Sequence, residues 1–214
     1  MPTILVASSN PGKIAEMKLG ARLWGGTSED LEGWIIDSVP GLKKLPPCAE
    51  DADSYASNAQ KKALHYSQHV AGLVLGDDSG LEVAALGGAP GPRSARYAGP
   101  AATDAENNAK LLQELIAVPP QMRTARFVCE LALARSGKPL ARFGGVVEGF
   151  ILGEPRGREG FGYDPLFLDP MVGRTFAELK LEEKMQRSHR GKAFRGLLEW
   201  LANQPTAFWS QGDA

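Results

Sequence analysis

The stretch Thr3-Ile4-Leu5-Val6-Ala7-Ser8-Ser9-Asn10-Pro11-Gly12-Lys13 decides how the rest of the chain is read. Thr3 to Ala7 is short, β-branched and apolar, the pattern of a buried strand. Ser8 to Gly12 carries turn residues, and Ile14, Met17 and Ala21 then recur at helical spacing. A buried strand, a tight turn and a helix are the opening of an α/β fold. The turn also suits an anion. Free N–H groups at a helix start attract phosphate, and Lys13 adds a charge. A helix cap beside a surface lysine explains the same residues equally well. A Walker A loop is excluded, because Ala7 and Ile14 stand where that motif needs Gly and Ser or Thr.

Outward from this unit, helical and strand patterns interleave. The spacing predicts a second helix over about Asp53 to Val70, with Tyr55, Ala59, Ala63, Tyr66 and Val70 on its buried side. Leu73 to Gly76 and Leu81 to Leu86 read as two short strands joined by a loop, Asp77-Asp78-Ser79-Gly80. Thr103 and Glu106 form a capping box before a helix that Ala109, Leu112 and Ile116 continue. Arg123 to Ala134 alternates, with Ala125, Phe127, Cys129, Leu131 and Leu133 on one face. A turn at Ser136-Gly137 leads into a long strand, Leu140 to Leu152, bent at Gly144-Gly145. Thr175 and Glu178 open another helix. Ser188 caps a last one, with Ala193, Phe194, Leu197, Leu198 and Leu201 as its buried stripe. The class is α/β with a mixed sheet. Two Gly/Pro-rich loops, 87–100 and 153–170, suggest a single domain over 1–214 built of two lobes around a cleft.

Composition narrows the function. A net charge of −1 gives no broad footprint for nucleic acid. No apolar run reaches membrane-spanning length, and Thr3 to Ala7 is too short for a signal peptide, so a soluble cytoplasmic protein is expected. Cys48 and Cys129 form no CxxC pattern and imply neither a disulfide framework nor a zinc site. His65 and His69 lack a third ligand and read as a solvated helix face.

Four other segments carry chemistry. Adjacent Asp77 and Asp78 repel unless cations or hydrogen bonds absorb their charge, and on a strand only one would face a given site. Glu50, Asp51 and Asp53 precede the second helix. They complement its dipole or supply an oxygen ligand for magnesium, which takes one or two carboxylates. Phe161-Gly162-Tyr163-Asp164-Pro165 can offer an aromatic face to a purine. Ser188-His189-Arg190 places two basic residues at a helix start that favours anions, an arrangement with a local penalty and hence a functional hint.

In order along the chain, Ser8 to Lys13, Asp77 to Leu81, Gly88 to Gly91, Ser94 to Gly99, Gly160 to Pro165 and Ser188 to Ala193 resemble the motifs of the inosine triphosphate pyrophosphatase (dITP/XTP pyrophosphatase) family. The resemblance covers nearly the whole chain. It implies an elongated, two-lobed α/β fold with a long mixed sheet, helices on its flanks and the nucleotide in the cleft. It also implies a homodimer and magnesium-dependent release of pyrophosphate from ITP, dITP or XTP. On this resemblance Ser8, Ser9, Asn10, Pro11, Gly12 and Lys13 hold the triphosphate, and Lys62 reaches phosphate. Glu50 and Asp78 serve Mg2+, Asp78 doubles as proton acceptor, and Ser79 touches substrate. Phe161, Gly162, Tyr163, Asp164, Lys184, His189 and Arg190 form the base pocket. Ser8 stands where Thr is usual, Ser57 where Glu is common and Asp51 where Thr is common. The metal carboxylate is therefore open between Glu50 and Asp51. The same reaction on other altered nucleotides, or a nucleotide sensor without turnover, would use the same landmarks.

Overall fold

The computed structural model describes residues 3–24, 34–205 and 208. Among them, seven strands form one mixed sheet in the order β2-β1-β3-β4-β5-β6-β7. Strand β1 (Thr3–Val6) pairs in parallel with both β2 (Ile35–Ser38) and β3 (Leu73–Val83). At the other edge β5 (Lys138–Ile151), β6 (Phe167–Asp169) and β7 (Arg174–Thr175) pair antiparallel. Strand β4 (Thr124–Arg135) lies between β3 and β5. The expected mixed α/β class is the observed one.

Helix α1 (Pro11–Trp24) follows the opening turn but takes in Pro11 and Gly12, two residues before the expected start at Lys13. Asn10 Oδ1 accepts from the Gly12 and Lys13 N–H groups at 2.9 and 3.2 Å, and proline fills the first helical position. Helix α2 (Tyr55–Tyr66) is shorter than its apolar spacing predicted. Ser54 caps its start, accepting from the Ser57 N–H at 3.2 Å. At its end Ser67 Oγ donates to the Leu64 carbonyl at 3.0 Å, and the chain turns away before Val70. Helix α3 (Asp104–Glu114) has the expected capping box of Thr103 and Glu106. It stops before Ile116, which is 82% exposed, while Leu111 and Leu115 carry the packing. The capping box of Thr175 and Glu178 opens a single 3-10 turn, Phe176–Glu178, rather than a helix. Helices α4 (Leu181–Arg187) and α5 (His189–Ala202) follow.

The two short strands expected around Asp77-Asp78-Ser79-Gly80 are one continuous strand, β3. Aspartates mark turns because their carboxylates cap local backbone N–H groups. Here Asp77 and Asp78 both find cationic partners elsewhere, so no turn forms. The β4–β5 hairpin is as expected. Ser136 and Gly137 have φ of 49° and 72°, the positive pair that a two-residue hairpin turn demands.

The chain divides into two compact units. The first holds residues up to Asp78, Cys129–Gly145 and the segment from Arg190 onward, and the second holds Ser79–Val128 and Val146–His189. Each has its own core. In the first, the α5 stripe of Ala193, Phe194, Leu197, Leu198 and Leu201 packs with Ile4, Val6, Met17, Cys129, Leu131 and Leu133. In the second, Phe127, Phe167 and Phe176 cluster, with ring centroids 4.6 to 5.9 Å apart, among Leu81, Val83, Leu111 and Leu166.

Helix α2 lies hard against β3 in the first unit. A Cβ on Gly76 would collide with the Ala59 carbonyl oxygen and come within 2.8 Å of the Ala63 nitrogen. This contact sets α2 at the height of Asp78. Gly76→Ala should therefore destabilise the protein by about 1–3 kcal/mol or more. An unchanged midpoint in chemical denaturation would show that α2 can retreat without penalty.

Candidate active site

Side chains alternate along a strand, so adjacent Asp77 and Asp78 meet different partners. Asp77 is 1% exposed. Its Oδ1 pairs with Lys13 Nζ from the start of α1, and its Oδ2 accepts from Arg190 Nε at 2.8 Å, from the start of α5. Arg190 Nη1 also pairs with Glu16, one turn into α1. Burial alone would raise the Asp77 pKa. The Arg190 guanidinium and the Lys13 ammonium outweigh that and hold it well below the ordinary carboxylate range. Burial would likewise lower the Arg190 pKa, but Asp77 and Glu16 keep it well above its ordinary value.

Asp78 faces α2. Asn58 Nδ2 donates to Asp78 Oδ2 at 3.1 Å, and Lys62 Nζ lies 3.4 Å from Asp78 Oδ1. The same ammonium is 2.9 Å from Glu50 Oε2. Asn58 and Lys62 are four residues apart and so share one helix face. Burial pushes the Asp78 carboxyl up, and Lys62 and Lys13 offset this only in part. Lys62 would be lowered by burial, yet Asp78, Glu50 and Asp77 leave it above the ordinary lysine value.

Glu50 and Asp51 differ in their surroundings. Glu50 meets Asp78 across one buried lysine, whereas Asp51, its side chain 71% exposed, pairs with surface Lys61. Glu50 and Asp78 offer hard oxygen donors. Among the described residues no group of three or more His, Cys, Asp or Glu could hold a metal. Such a donor set fits Mg2+, which keeps waters and substrate phosphates in its shell, and does not fit a structural zinc.

At the first turn, the Gly12 and Lys13 N–H groups expected to meet phosphate are taken by Asn10 Oδ1, and Ser8 Oγ accepts from the Asn10 N–H at 3.2 Å. Lys13 Nζ, paired with Asp77, is the cation this segment brings to the carboxylates.

Of the expected base residues, Phe161, Gly162, Tyr163, Asp164, Lys184 and His189 belong to the second unit and Arg190 to the first. Asp164 Oδ2 accepts from the Phe161 N–H at 2.9 Å and pairs with Lys184. Lys184 Nζ also sits 4.7 Å from the Phe161 ring centroid, within cation–π range. Gly160 permits the closure, since a Cβ there would strike the Asp164 carboxylate. Tyr163 is buried, and its hydroxyl donates to the Ser94 carbonyl at 2.8 Å. The His189 ring stacks on Phe127, with centroids 4.7 Å apart and planes 10° apart. Ser79 is half-buried on β3. His65, read as solvated, hydrogen-bonds the Pro46 carbonyl at 2.7 Å.

Sequence reading missed Glu16 and Asn58. Asn58 carried a signal, lying one helical turn before Lys62; Glu16 carried none, because its partner Arg190 is 174 residues away. A cavity of about 530 Å³ in the second unit, lined by Glu82, Arg126, Glu148 and Phe150 among others, includes neither Glu16 nor Asn58.

Fold and site together define a mixed-sheet α/β protein that sets cations against carboxylates on one central strand. Residues 4–200 match the model of the Ham1 family, and the chain belongs to that family. It is 52% identical over 208 residues to a dITP/XTP pyrophosphatase of Syntrophobacter fumaroxidans, covering 92% of this chain and 84% of that one. The dITP/XTP pyrophosphatase of Geobacillus kaustophilus is 46% identical over 199 residues, 93% of this chain and 94% of its own. Among solved structures, a HAM1 protein from Coxiella burnetii superposes with a TM-score of 0.81 at 40% identity, covering 95% of this chain and all (100%) of that one. The Ham1 protein of Staphylococcus aureus gives 0.79 at 34%, with 95% and 100% coverage.

Removing Asp77 strands two cations that it now neutralises. Asp77→Ala should lower the unfolding free energy by about 3–5 kcal/mol, the usual effect of breaking a buried pair. Because folding depresses the Asp77 pKa, its contribution is complete above the unfolded value and is lost only as pH falls through the lower folded one. The difference between wild type and variant should stay constant from pH 7 down to about 4. Denaturant titrations across that range measure it. A loss under about 1 kcal/mol would place the network's weight elsewhere.

Proposed function

We propose that this protein hydrolyses non-standard purine nucleoside triphosphates (ITP, dITP and XTP) to the monophosphate and pyrophosphate, with Mg2+. The observation that carries the reading is the meeting of Glu50 and Asp78 at the buried Lys62 ammonium. Two carboxylates suit a hard cation, and a lysine between them suits the phosphate that such a cation accompanies. The names of the Ham1-family relatives point to the same substrates.

Each residue then has a task in cleaving the bond between the α- and β-phosphates. Water adds to phosphorus, the bridging P–O bond breaks, and pyrophosphate leaves with the bonding pair. Asp78 accepts the water's proton. Asn58 orients it, donating to Asp78 Oδ2 at 3.1 Å. Lys62 and Lys13 exchange part of their carboxylate contact for phosphate oxygens and offset the charge on the leaving group. Bound at Glu50 and Asp78, Mg2+ supplies charge neutralisation to the triphosphate and its leaving group.

Selection of the base falls to Phe161, Gly162, Tyr163, Asp164, Lys184 and His189. Hypoxanthine and xanthine carry an acceptor oxygen where adenine carries a donor amine, so cationic or N–H donors favour the former. Arg190 donates Nε to Asp77 and pairs Nη1 with Glu16, which makes it first a brace for Asp77. A homodimer, implied by the family resemblance, and a cytoplasmic location, expected from the sequence pattern, complete the reading.

ITP with Mg2+ should give IMP and pyrophosphate as first products, and a chelator should stop turnover. Initial release of IDP and orthophosphate would overturn the reading. Asp78→Asn keeps the shape and removes the base, so kcat should fall by about 10²–10⁴-fold while nucleotide binding survives. Near-normal turnover at saturating Mg2+ would remove Asp78 from the chemistry.

A further inference from the structure

The loop expected to take the purine is gripped from outside by one helix, and we propose that Asp104 and Asn108 of α3 are positioning residues that set its base-binding conformation. The inference rests on the proposed reading of residues 160–164 as the base loop. The Gly162 N–H donates to Asp104 Oδ2 at 2.7 Å, and the Gly162 carbonyl accepts from Asn108 Nδ2 at 2.9 Å. These two groups belong to the two peptides that flank the Gly162 Cα. Holding both fixes the backbone rotation between Phe161 and Tyr163. Gly162 has φ +63°, a left-handed conformation that glycine adopts freely, so the grip imposes no strain.

Both neighbours of Gly162 are held as well. The Phe161 N–H and Lys184 share one Asp164 oxygen, with Lys184 at the Phe161 ring, and the Tyr163 hydroxyl is anchored on the Ser94 carbonyl. Phe161 itself remains partly exposed. Free rotation at Gly162 would let Phe161 swing while Tyr163 stayed fixed. Asp104 and Asn108 remove that freedom before substrate arrives, which lowers the ordering penalty of binding.

The α3 face is organised for the task. Asp104, Asn107 and Asn108 stand at i, i+3 and i+4 and so point to one side. Asn107 holds the preceding loop in the same two-handed way, accepting from the Ala98 N–H at 2.8 Å and donating to the Ala95 carbonyl at 3.2 Å. The capping box at Thr103 anchors the start of the helix, so the grip has a rigid base.

The test is steady-state kinetics with ITP and Mg2+ on the full chain, with thermal unfolding as the check on folding. The double variant Asp104→Ala with Asn108→Ala should raise KM about tenfold, the effect of losing two hydrogen bonds, with kcat changed less than about twofold. Asp104→Asn keeps an acceptor for the Gly162 N–H and should restore KM to near wild type. In a Phe161→Ala background the double variant should add no further rise, because the residue it positions is gone. A KM unmoved by the double variant, or a rise of equal size without Phe161, overturns the positioning role. If Phe161→Ala alone leaves KM unchanged, the base-loop reading fails and this one with it. Should the double variant not fold, Asp104→Ala and Asn108→Ala singly are read against the same outcomes, each with a rise of about threefold.

Discussion

Asp77 is a carboxylate with almost no contact with water, and the first unit is arranged around keeping it charged. Isolated burial of a carboxylate is prohibitively unfavourable, so the group must be paired or protonated. Lys13 comes from the first turn of α1 and Arg190 from the first turn of α5, and Glu16 balances the remaining charge on the guanidinium. One strand and two helices thus meet at a single oxygen pair. Such a network contributes little net stability over a well-packed apolar core. Its effect is directional: it fixes where Lys13 points and how the starts of α1 and α5 sit on β3.

The next residue along β3 completes the division of labour. Alternation turns Asp78 toward α2, away from the partners of Asp77, and so toward Asn58 and Lys62. Two adjacent carboxylates would repel each other in a common environment. Here each has its own. Asp77 is over-neutralised and held below the ordinary range, and Asp78 is under-neutralised and raised. Asp77 thereby holds Lys13 and Arg190 in place, while Asp78 meets Asn58 and Lys62. Gly76 is the spatial condition for this, since only a residue without a side chain lets α2 come close enough.

The second unit handles a different problem, the ordering of a loop, with hydrogen bonds, one buried ion pair and rings. Its loop 160–164 carries four glycine or aromatic positions in a row, a composition with little intrinsic rigidity. Order comes from the Asp164–Lys184 pair that ties the loop to α4, from the Ser94 carbonyl that accepts from Tyr163 and from the polar face of α3. Phe127, stacked between His189 and Phe176, ties the end of that unit to its core.

Local patterns in the sequence were sufficient for the α/β class, helix α1 after the opening turn, the Thr103 capping box, the Ser136-Gly137 hairpin and the buried stripe of α5. Each of these is decided by neighbours a few residues away. Periodicity failed where a distant group competed with a local preference. Asp77 to Gly80 has the composition of a turn but stays in a strand, because Lys13, Arg190 and Lys62 replace the contacts a turn would provide. The motifs singled out Lys13, Asp77, Asp78 and Arg190, yet not their pairing. Nothing in the acidic run 50–53 tells Glu50 from Asp51; only α2, by aiming Lys62 at one and Lys61 at the other, separates them. The Asp77–Arg190 and Glu16–Arg190 pairs span 113 and 174 residues. Which charge neutralises which is set by the path of the chain in space, because Coulomb attraction and desolvation depend on distance and burial, and neither is written in sequence separation.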